Sequence, residues 1–222
     1  MRVAAILPVK RFGAAKSRLA TAIPAPDRSA LAAAMVTDAL AVLARAELVE
    51  MTVVVTGEPE AISVARNLGA IVVPDPTDES HSVAAGLGVA RAMTLGAEAV
   101  AMLPGDCPLL DAAELDRAIF SLRPPELVVV PDRHGAGTNG LILSPPDAVE
   151  PSFGDGSHAR HHALAREAGV RSRTLALASL ALDADTPDDL ELIRRHLLDR
   201  PERGNLAPQT RRALERLRIK AA

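Results

Sequence analysis

Aromatic residues are nearly missing from this sequence, whose 222 residues include three Phe and no Tyr or Trp. This scarcity excludes proteins that read single-stranded nucleic acid by stacking bases on aromatic rings, and it excludes aromatic cages for quaternary ammonium groups. An excess of positive charge is also missing, because 25 Lys and Arg face 28 Asp and Glu and the net charge is −3. We therefore expect no nucleic-acid partner.

Cysteines and long apolar runs are equally scarce. Cys107 is the single cysteine, which rules out an internal disulfide framework and cysteine-based zinc fingers and fits a reducing cytoplasm. No window reaches 18 uncharged apolar residues, so we expect no membrane-spanning helix. The first short apolar run is followed at once by Lys10 and Arg11, which argues against a signal peptide. These features predict a cytoplasmic protein with no membrane association.

What is present is ordinary globular composition, with 48% hydrophobic residues, arranged as alternating strands and helices. The predicted strands cover residues 3–7, 51–55, 71–73, 99–103, 127–130, 140–143 and 173–177. The predicted helices cover residues 27–44, 59–68, 82–95, 111–120, 157–167 and 187–198. This alternation predicts a single three-layer α/β/α domain over residues 1–199, with a mostly parallel sheet. Residues 200–222 are predicted to form a linker and a short basic helix.

Ligands of a parallel α/β sheet bind beyond the carboxyl ends of its strands, so the strand-end loops come first. The loop after the first strand carries four cations within nine positions, namely Lys10, Arg11, Lys16 and Arg18. Four cations at a strand end suit a polyphosphate, and the alternative is a solvated basic loop. The loop matches neither the dinucleotide-binding fingerprint nor the Walker motif.

Carboxylates follow two later strands. Asp106 lies in the segment 103–110 with a proline two residues away on either side, and Asp183 and Asp185 alternate just before the last helix. Such carboxylates, combined with phosphate oxygens, would hold Mg²⁺. The alternative is that Asp106 is a turn residue and that Asp185 and Thr186 cap the last helix.

Glycine-rich segments at 135–140 and 152–156 lie near the start of the helix predicted over 157–167. Their glycines let the backbone approach a ligand closely, and Ser157 is expected to cap the helix. With Arg160 and His161 in its first turn, the N-terminus of this helix suits a phosphate or a carboxylate. The alternative is an ordinary glycine turn followed by a capped helix.

Five segments in a fixed order, LPVKRFGAAKSRL, LPGDCPLL, GTNGLIL, SFGDGSHARHH and LDADTPDDL, resemble the CofC/FbiD guanylyltransferases of coenzyme F-420 biosynthesis. The resemblance covers about residues 1–198. It implies a nucleotidyltransferase fold of the GT-A or molybdenum-cofactor-guanylyltransferase (MobA-like) type, with GTP as substrate and Mg²⁺ as cofactor. The implied acceptor is a small phosphorylated acid: phosphoenolpyruvate as the preferred choice, or 2-phospho-L-lactate or 3-phosphoglycerate.

The resemblance and the loops together assign roles to individual residues. The expected catalytic cations are Lys10, Lys16 and Arg18. The expected nucleotide-binding residues are Leu7, Pro8, Val9, Lys10, Lys16 and Ser82, the last standing where family members often have Asn. The expected metal ligands are Asp106 and Asp185, which the resemblance matches, and their neighbour Asp183. The expected acceptor-binding residues are Thr138, Gly154 and Ser157, which the resemblance matches, and Arg160 and His161.

The implied reaction needs no covalent enzyme intermediate. A phosphate oxygen of the acceptor attacks the α-phosphorus of GTP, and pyrophosphate leaves. We expect guanine to be read by backbone groups and small side chains, since Phe12, Phe120 and Phe153 are the only aromatic residues. The alternative is a nucleotidyltransferase for a sugar phosphate or molybdopterin, although those enzymes usually carry a Gly-Gly-rich first loop where this chain has Pro8-Val9-Lys10. The protein would be a monomer or homodimer, with product handed to the next pathway enzyme.

Overall fold

A computed structural model describes residues 1–14, 16–199 and 205–217, and its strands form one seven-stranded sheet. The strands are β1 Val3–Val9, β2 Met51–Thr56, β3 Ile71–Pro74, β4 Ala99–Met102, β5 Glu126–Pro131, β6 Thr138–Ser144 and β7 Arg171–Thr174. Their spatial order is β3-β2-β1-β4-β6-β5-β7. Strand β6 runs antiparallel to both of its neighbours, and the other pairs are parallel. The predicted mostly parallel sheet is confirmed.

Helices cover both faces of this sheet, because alternate strand residues point to opposite sides. The helices are α1 Ala25–Leu43, α2 Pro59–Asn67, α3 His81–Thr94, α4 Ala112–Phe120, α5 Ser157–Glu167, α6 Pro187–Leu198 and α7 Pro208–Arg216. Helices α1, α2 and α4 pack on one face, and α3 and α5 pack on the other. A third apolar cluster joins the outer side of α1 to α6 and α7. Among the described residues, no helix is both long and apolar enough to cross a membrane.

Two strands differ from their predicted bounds. Strand β1 runs through Pro8 to Val9 instead of stopping before the proline. The carbonyl of Ile6 points toward β4 and accepts from the Leu103 N–H. Residues two positions apart in a strand point the same way, so the nitrogen of Pro8, which has no hydrogen, also faces β4. Because β4 ends before that point, the proline interrupts no strand pairing. Strand β7 lies at Arg171–Thr174 and not at 173–177.

Strand β7 is placed by ion pairs rather than by apolar residues. Arg171 and Arg173 approach the buried carboxylate of Glu126 at 3.2 Å and 3.3 Å. A prediction based on hydrophobicity therefore places this edge strand too late in the sequence, at the apolar residues that follow it.

Helix α7 is fastened to α1 by one buried carboxylate. Asp38, on α1, accepts from the N–H groups of Gln209 and Thr210 at 3.1 Å and 2.7 Å and from the Thr210 hydroxyl at 2.7 Å. It thereby supplies the first turn of α7 with the acceptor that a helix N-terminus lacks. The predicted short basic helix of the tail is present, while residues 200–204 and 218–222 of that prediction lie outside the described residues. The domain boundary at residue 199 stays a prediction.

Replacing Asp38 should weaken the whole domain. In Asp38→Ala two N–H groups and a hydroxyl lose their shared acceptor in a buried place, which should lower the free energy of unfolding by about 2–3 kcal/mol. Asp38→Asn keeps one acceptor oxygen and should cost less. Urea unfolding followed by circular dichroism measures both, with Glu167→Ala, at an exposed position of α5, as the control. Equal stability of Asp38→Ala and the control would contradict this account.

Candidate functional site

The candidate site forms where the loop after β4 meets the loop before α6. The backbone N–H of Ala184 donates to the carbonyl of Asp106 at 3.1 Å, so the two loops are joined through their backbones. Buried Cys107 adds a second link, since its thiol donates to the carbonyl of Leu180 at 3.6 Å. These contacts bring together side chains that are almost eighty positions apart in the chain.

Three carboxylates converge at this junction. Oxygen atoms of Asp106, Asp183 and Asp185 lie within 4.8 Å of one another, an arrangement that could hold a metal ion. The ammonium group of Lys16 pairs with Asp106 and lies 3.0 Å from Asp185 Oδ1, and its side chain is 7% exposed. The predicted metal ligands therefore do come together, and one of the predicted catalytic cations lies among them.

Burial and neighbouring charges oppose each other in the pKa values of Lys16 and Asp106 and act together on the pKa of Asp183. Burial alone would lower the pKa of Lys16, but the carboxylates of Asp106 and Asp185 outweigh it and raise the pKa above its ordinary value. Burial would likewise raise the pKa of Asp106, yet the Lys16 ammonium holds it below its ordinary value. Burial and the neighbouring charge of Asp106 raise the pKa of Asp183. The site is thus a set of negative oxygens with a buried counter-ion, Lys16, and an exposed one, Arg18, whose guanidinium lies 3.5 Å from Asp185 Oδ2.

The backbone of Lys16 shows how strongly this arrangement constrains the first loop. Lys16 has φ of 59°, in the left-handed region that costs a non-glycine residue about 1–2 kcal/mol. Its ion pairs, and the bond from the Leu19 N–H to its carbonyl at 2.9 Å, hold that conformation. Of the cations in the predicted basic loop, Lys16 is therefore buried against the carboxylates, whereas Lys10, Arg11 and Arg18 are exposed.

A cavity of about 380 Å³ opens beside this cluster at the carboxyl ends of β1 and β4. Most of the residues expected to bind nucleotide line it: Pro8, Val9, Lys10 and Lys16, together with Arg18, Phe12, His81, Gly105, Asp106 and Asp185. Leu7 is fully buried in the core beneath the cavity. Ser82 does not line it, and its hydroxyl accepts from the Phe153 N–H at 2.9 Å. Nucleotide binding by Leu7 and Ser82 stays a prediction.

The expected acceptor residues form a separate network around the start of β6. The hydroxyl of Ser157 donates to Thr138 Oγ1 at 3.0 Å, and Nδ1 of His161 lies 3.1 Å from the same oxygen. The expectation that Ser157 caps α5 is wrong. Gly156 is the N-cap residue, with φ of 68°, and Ser157 is the first helical residue, whose side chain turns toward Thr138.

Arg160 and Gly154 shape the loop that precedes α5. The guanidinium of Arg160 donates to Ser152 and to the carbonyls of Phe153 and Asp155, at distances between 2.8 Å and 3.3 Å. Gly154 has φ of 107°, a conformation open to glycine but strained for other residues. Arg160 therefore clamps the loop from within, and its contact with an acceptor stays a prediction.

Sequence reasoning missed two residues of the site. His81 is the first residue of α3 and lines the cavity, although no motif includes it. Asn139 donates its side-chain amide to Asp183 Oδ1 at 3.1 Å and to the Leu180 carbonyl at 2.9 Å. Asn139 lies inside the glycine-rich segment at 135–140 and directly follows Thr138, an expected site residue. This position in the sequence could have identified Asn139 as a candidate.

Comparison with known proteins identifies close relatives. A family model described as "Guanylyl transferase CofC like" matches residues 3–206. A curated phosphoenolpyruvate guanylyltransferase from Conexibacter woesei is 47% identical over 219 residues, which are 98% of this chain and 97% of that protein. Another, from Sphaerobacter thermophilus, is 37% identical over 196 residues, covering 88% of this chain and 94% of the relative.

Solved structures agree at the level of the fold. The structure of a chain assigned as a nucleotide-diphospho-sugar transferase from Desulfovibrio desulfuricans matches with a TM-score of 0.76. It is 16% identical in sequence and covers 97% of this chain and 95% of its own. The predicted nucleotidyltransferase fold is thereby confirmed.

The buried imidazole of His161 should make the protein acid-sensitive. Burial, and then the charge of Arg160, lower its pKa from 6.5 to about 4. Between these values the unfolded chain holds a proton that the folded chain does not, so the free energy of unfolding should fall by about 3 kcal/mol as the pH drops through this window.

In His161→Gln that part of the pH dependence should be absent. Urea unfolding between pH 4.5 and 7.5 measures the free energy of unfolding of both proteins. The difference between wild type and His161→Gln should become smaller toward low pH. The variant His134→Gln, which removes an exposed imidazole, is the matched control. Parallel curves for wild type and His161→Gln would show that His161 does not carry this effect.

Proposed function

The chain belongs to the CofC-like guanylyltransferase family, and we propose that it transfers GMP from GTP to the phosphate group of phosphoenolpyruvate and releases pyrophosphate. The proposal includes a cytoplasmic role in coenzyme F-420 biosynthesis, which the sequence resemblance implies. Its relatives from Conexibacter and Sphaerobacter are named phosphoenolpyruvate guanylyltransferases, and this chain spans nearly their full length.

One observation carries the proposal: cations and carboxylates of separate loops meet in one cavity at the carboxyl edge of the sheet. Lys10, Lys16 and Arg18 line this cavity together with Asp106 and Asp185. A nucleoside triphosphate bound to a divalent cation needs positive groups for its phosphates and carboxylates for its metal. The cavity offers both kinds of group.

The donor set fits Mg²⁺, because three carboxylates supply the hard oxygen ligands that this ion prefers. Asp106, Asp183 and Asp185 would hold it, and bound there it would neutralise charge on the reacting phosphates. The Lys16 ammonium contacts two of the same carboxylates. Lys16 is therefore in reach of both the carboxylates and the phosphates that would lie beside them.

The protein's own residues contribute position and charge rather than covalent chemistry. A phosphate oxygen of the acceptor forms a bond to the α-phosphorus of GTP, and the bond from that phosphorus to the pyrophosphate oxygen breaks. Lys10 and Arg18, on the outer rim of the cavity, would bind the β- and γ-phosphates and stabilise the charge that collects on leaving pyrophosphate. Thr138 and the loop at Gly154 would hold the acceptor, with the buried Ser157 hydroxyl supporting Thr138 from behind.

Pyrophosphate release tests the proposal directly. Purified protein is incubated with GTP, Mg²⁺ and one acid at a time, with the next pathway enzyme present to consume a labile product. Phosphoenolpyruvate should give the highest kcat/KM among phosphoenolpyruvate, 2-phospho-L-lactate and 3-phosphoglycerate, and a sugar 1-phosphate should give none. Release with none of the three acids would refute the proposal, and a preference for another acid would refute the choice of phosphoenolpyruvate.

Replacing a carboxylate of the cluster should stop turnover without unfolding the protein. In Asp106→Asn the neutral amide is a poor metal ligand, so kcat should fall by about a hundred- to a thousand-fold. The melting temperature is measured alongside, and Asp199→Asn, an exposed site at the end of α6, is the control with normal kcat. A folded Asp106→Asn with kcat within threefold of wild type would exclude Asp106 as a metal ligand.

A further inference from the structure

A chain of hydrogen bonds behind the expected acceptor residues determines the direction of one hydroxyl group. The backbone N–H of Ser152 donates to Nε2 of His161 at 3.0 Å. An amide nitrogen can only donate, so Nε2 carries a lone pair, and a neutral imidazole then has its proton on Nδ1. Because Nδ1 lies 3.1 Å from Thr138 Oγ1, the ring donates to that oxygen.

The oxygen of Thr138 receives a second hydrogen bond. The Ser157 hydroxyl donates to Thr138 Oγ1 at 3.0 Å. A hydroxyl has one hydrogen and two acceptor lone pairs, so both lone pairs of Thr138 are now engaged. Its remaining capacity is its own hydrogen, and Thr138 can serve a third partner only as a donor.

The exposure of these side chains differs, and it indicates which of them can contact a substrate. His161 is 0% exposed and Ser157 is 1% exposed, whereas Thr138 is half-buried. The rings of Phe153 and His161 make an edge-to-face contact with centroids 5.3 Å apart, which further restrains the imidazole. Of these residues on the hydrogen-bond chain, Thr138 is therefore the one placed to touch substrate.

We propose that His161 is a positioning residue, which fixes the Thr138 hydroxyl as a hydrogen-bond donor to an anionic oxygen of the acceptor substrate. The inference rests on the proposed function, whose acceptor is a phosphorylated acid. Carboxylate and phosphate oxygens only accept, so a hydroxyl locked as a donor binds them and disfavours a ligand that presents a donor there. Thr138 directly precedes Asn139, whose side-chain amide donates to Asp183.

A matched pair of amide substitutions separates orientation from packing. In His161→Asn the amide nitrogen replaces Nδ1 and can still donate to Thr138, whereas in His161→Gln the amide reaches the place of Nε2 and leaves Thr138 without its donor. Steady-state pyrophosphate release should show the KM for the acceptor raised about tenfold in His161→Gln. The KM for the acceptor should be close to the wild-type value in His161→Asn. The KM for GTP should be unchanged in both variants.

Thr138→Val supplies the second half of the test. If His161 acts through the Thr138 hydroxyl, the double variant Thr138→Val with His161→Gln should be no worse in kcat/KM than Thr138→Val alone. His162→Gln, which removes a neighbouring histidine that contacts Ser172 and Thr174, should leave the acceptor KM unchanged. Additive losses in the double variant, or equal KM values for the Asn and Gln variants at position 161, would overturn the inference.

A spectroscopic measurement distinguishes failure of the inference from failure of the proposed function. Long-range proton–nitrogen correlation spectra of the wild-type protein at pH 7, assigned with His161→Gln, should show His161 protonated on Nδ1 alone. A proton on Nε2 would overturn the inference whatever the substrate is. Absence of pyrophosphate release by the wild type would instead refute the proposed function.

Discussion

The pairing of one buried ammonium group with a cluster of carboxylates is the interaction on which this site depends. Three carboxylates within 4.8 Å of one another repel strongly, and burial intensifies the repulsion. Lys16 offsets it, and in doing so it fixes the left-handed turn of the first loop beside the cavity. The same contact therefore makes the acidic cluster compatible with a folded protein and holds Lys16 of the first loop against it.

The reversed direction of β6 explains how the remaining groups reach this edge. In a fully parallel sheet only strand ends contribute to the ligand side. Because β6 is antiparallel to β4, its beginning lies at the carboxyl end of β4, and Asn139 is placed beside Asp183. The cluster built from the loop after β4 and the loop before α6 thus gains a side-chain amide that donates to Asp183, from a strand that starts there.

Much of this organisation could be predicted from the sequence. Apolar strand runs, helix periodicity and the strand-end rule predicted the sheet and the meeting of Asp106 with Asp183 and Asp185. The details that failed depend on tertiary contacts. Serine is a common N-cap residue, but here Gly156 is the N-cap of α5 and the Ser157 hydroxyl donates to Thr138 instead. Arg171 of strand β7 pairs with Glu126, and His81 lines the cavity because helix α3 begins there. Neither contact is encoded in a local sequence pattern.

The order of the strands divides the molecule into two blocks of contiguous sequence. Residues up to Asp106 supply the first loop, β4 and most of the cavity, whereas Thr138 to His161 supply the hydrogen-bonded network around β6 and α5. Phe153 touches rings of both blocks, His81 on one side and His161 on the other. Under the proposed function, the groups for the nucleotide and the groups for the acceptor thus come mainly from two separate stretches of sequence, which meet at the ring of Phe153.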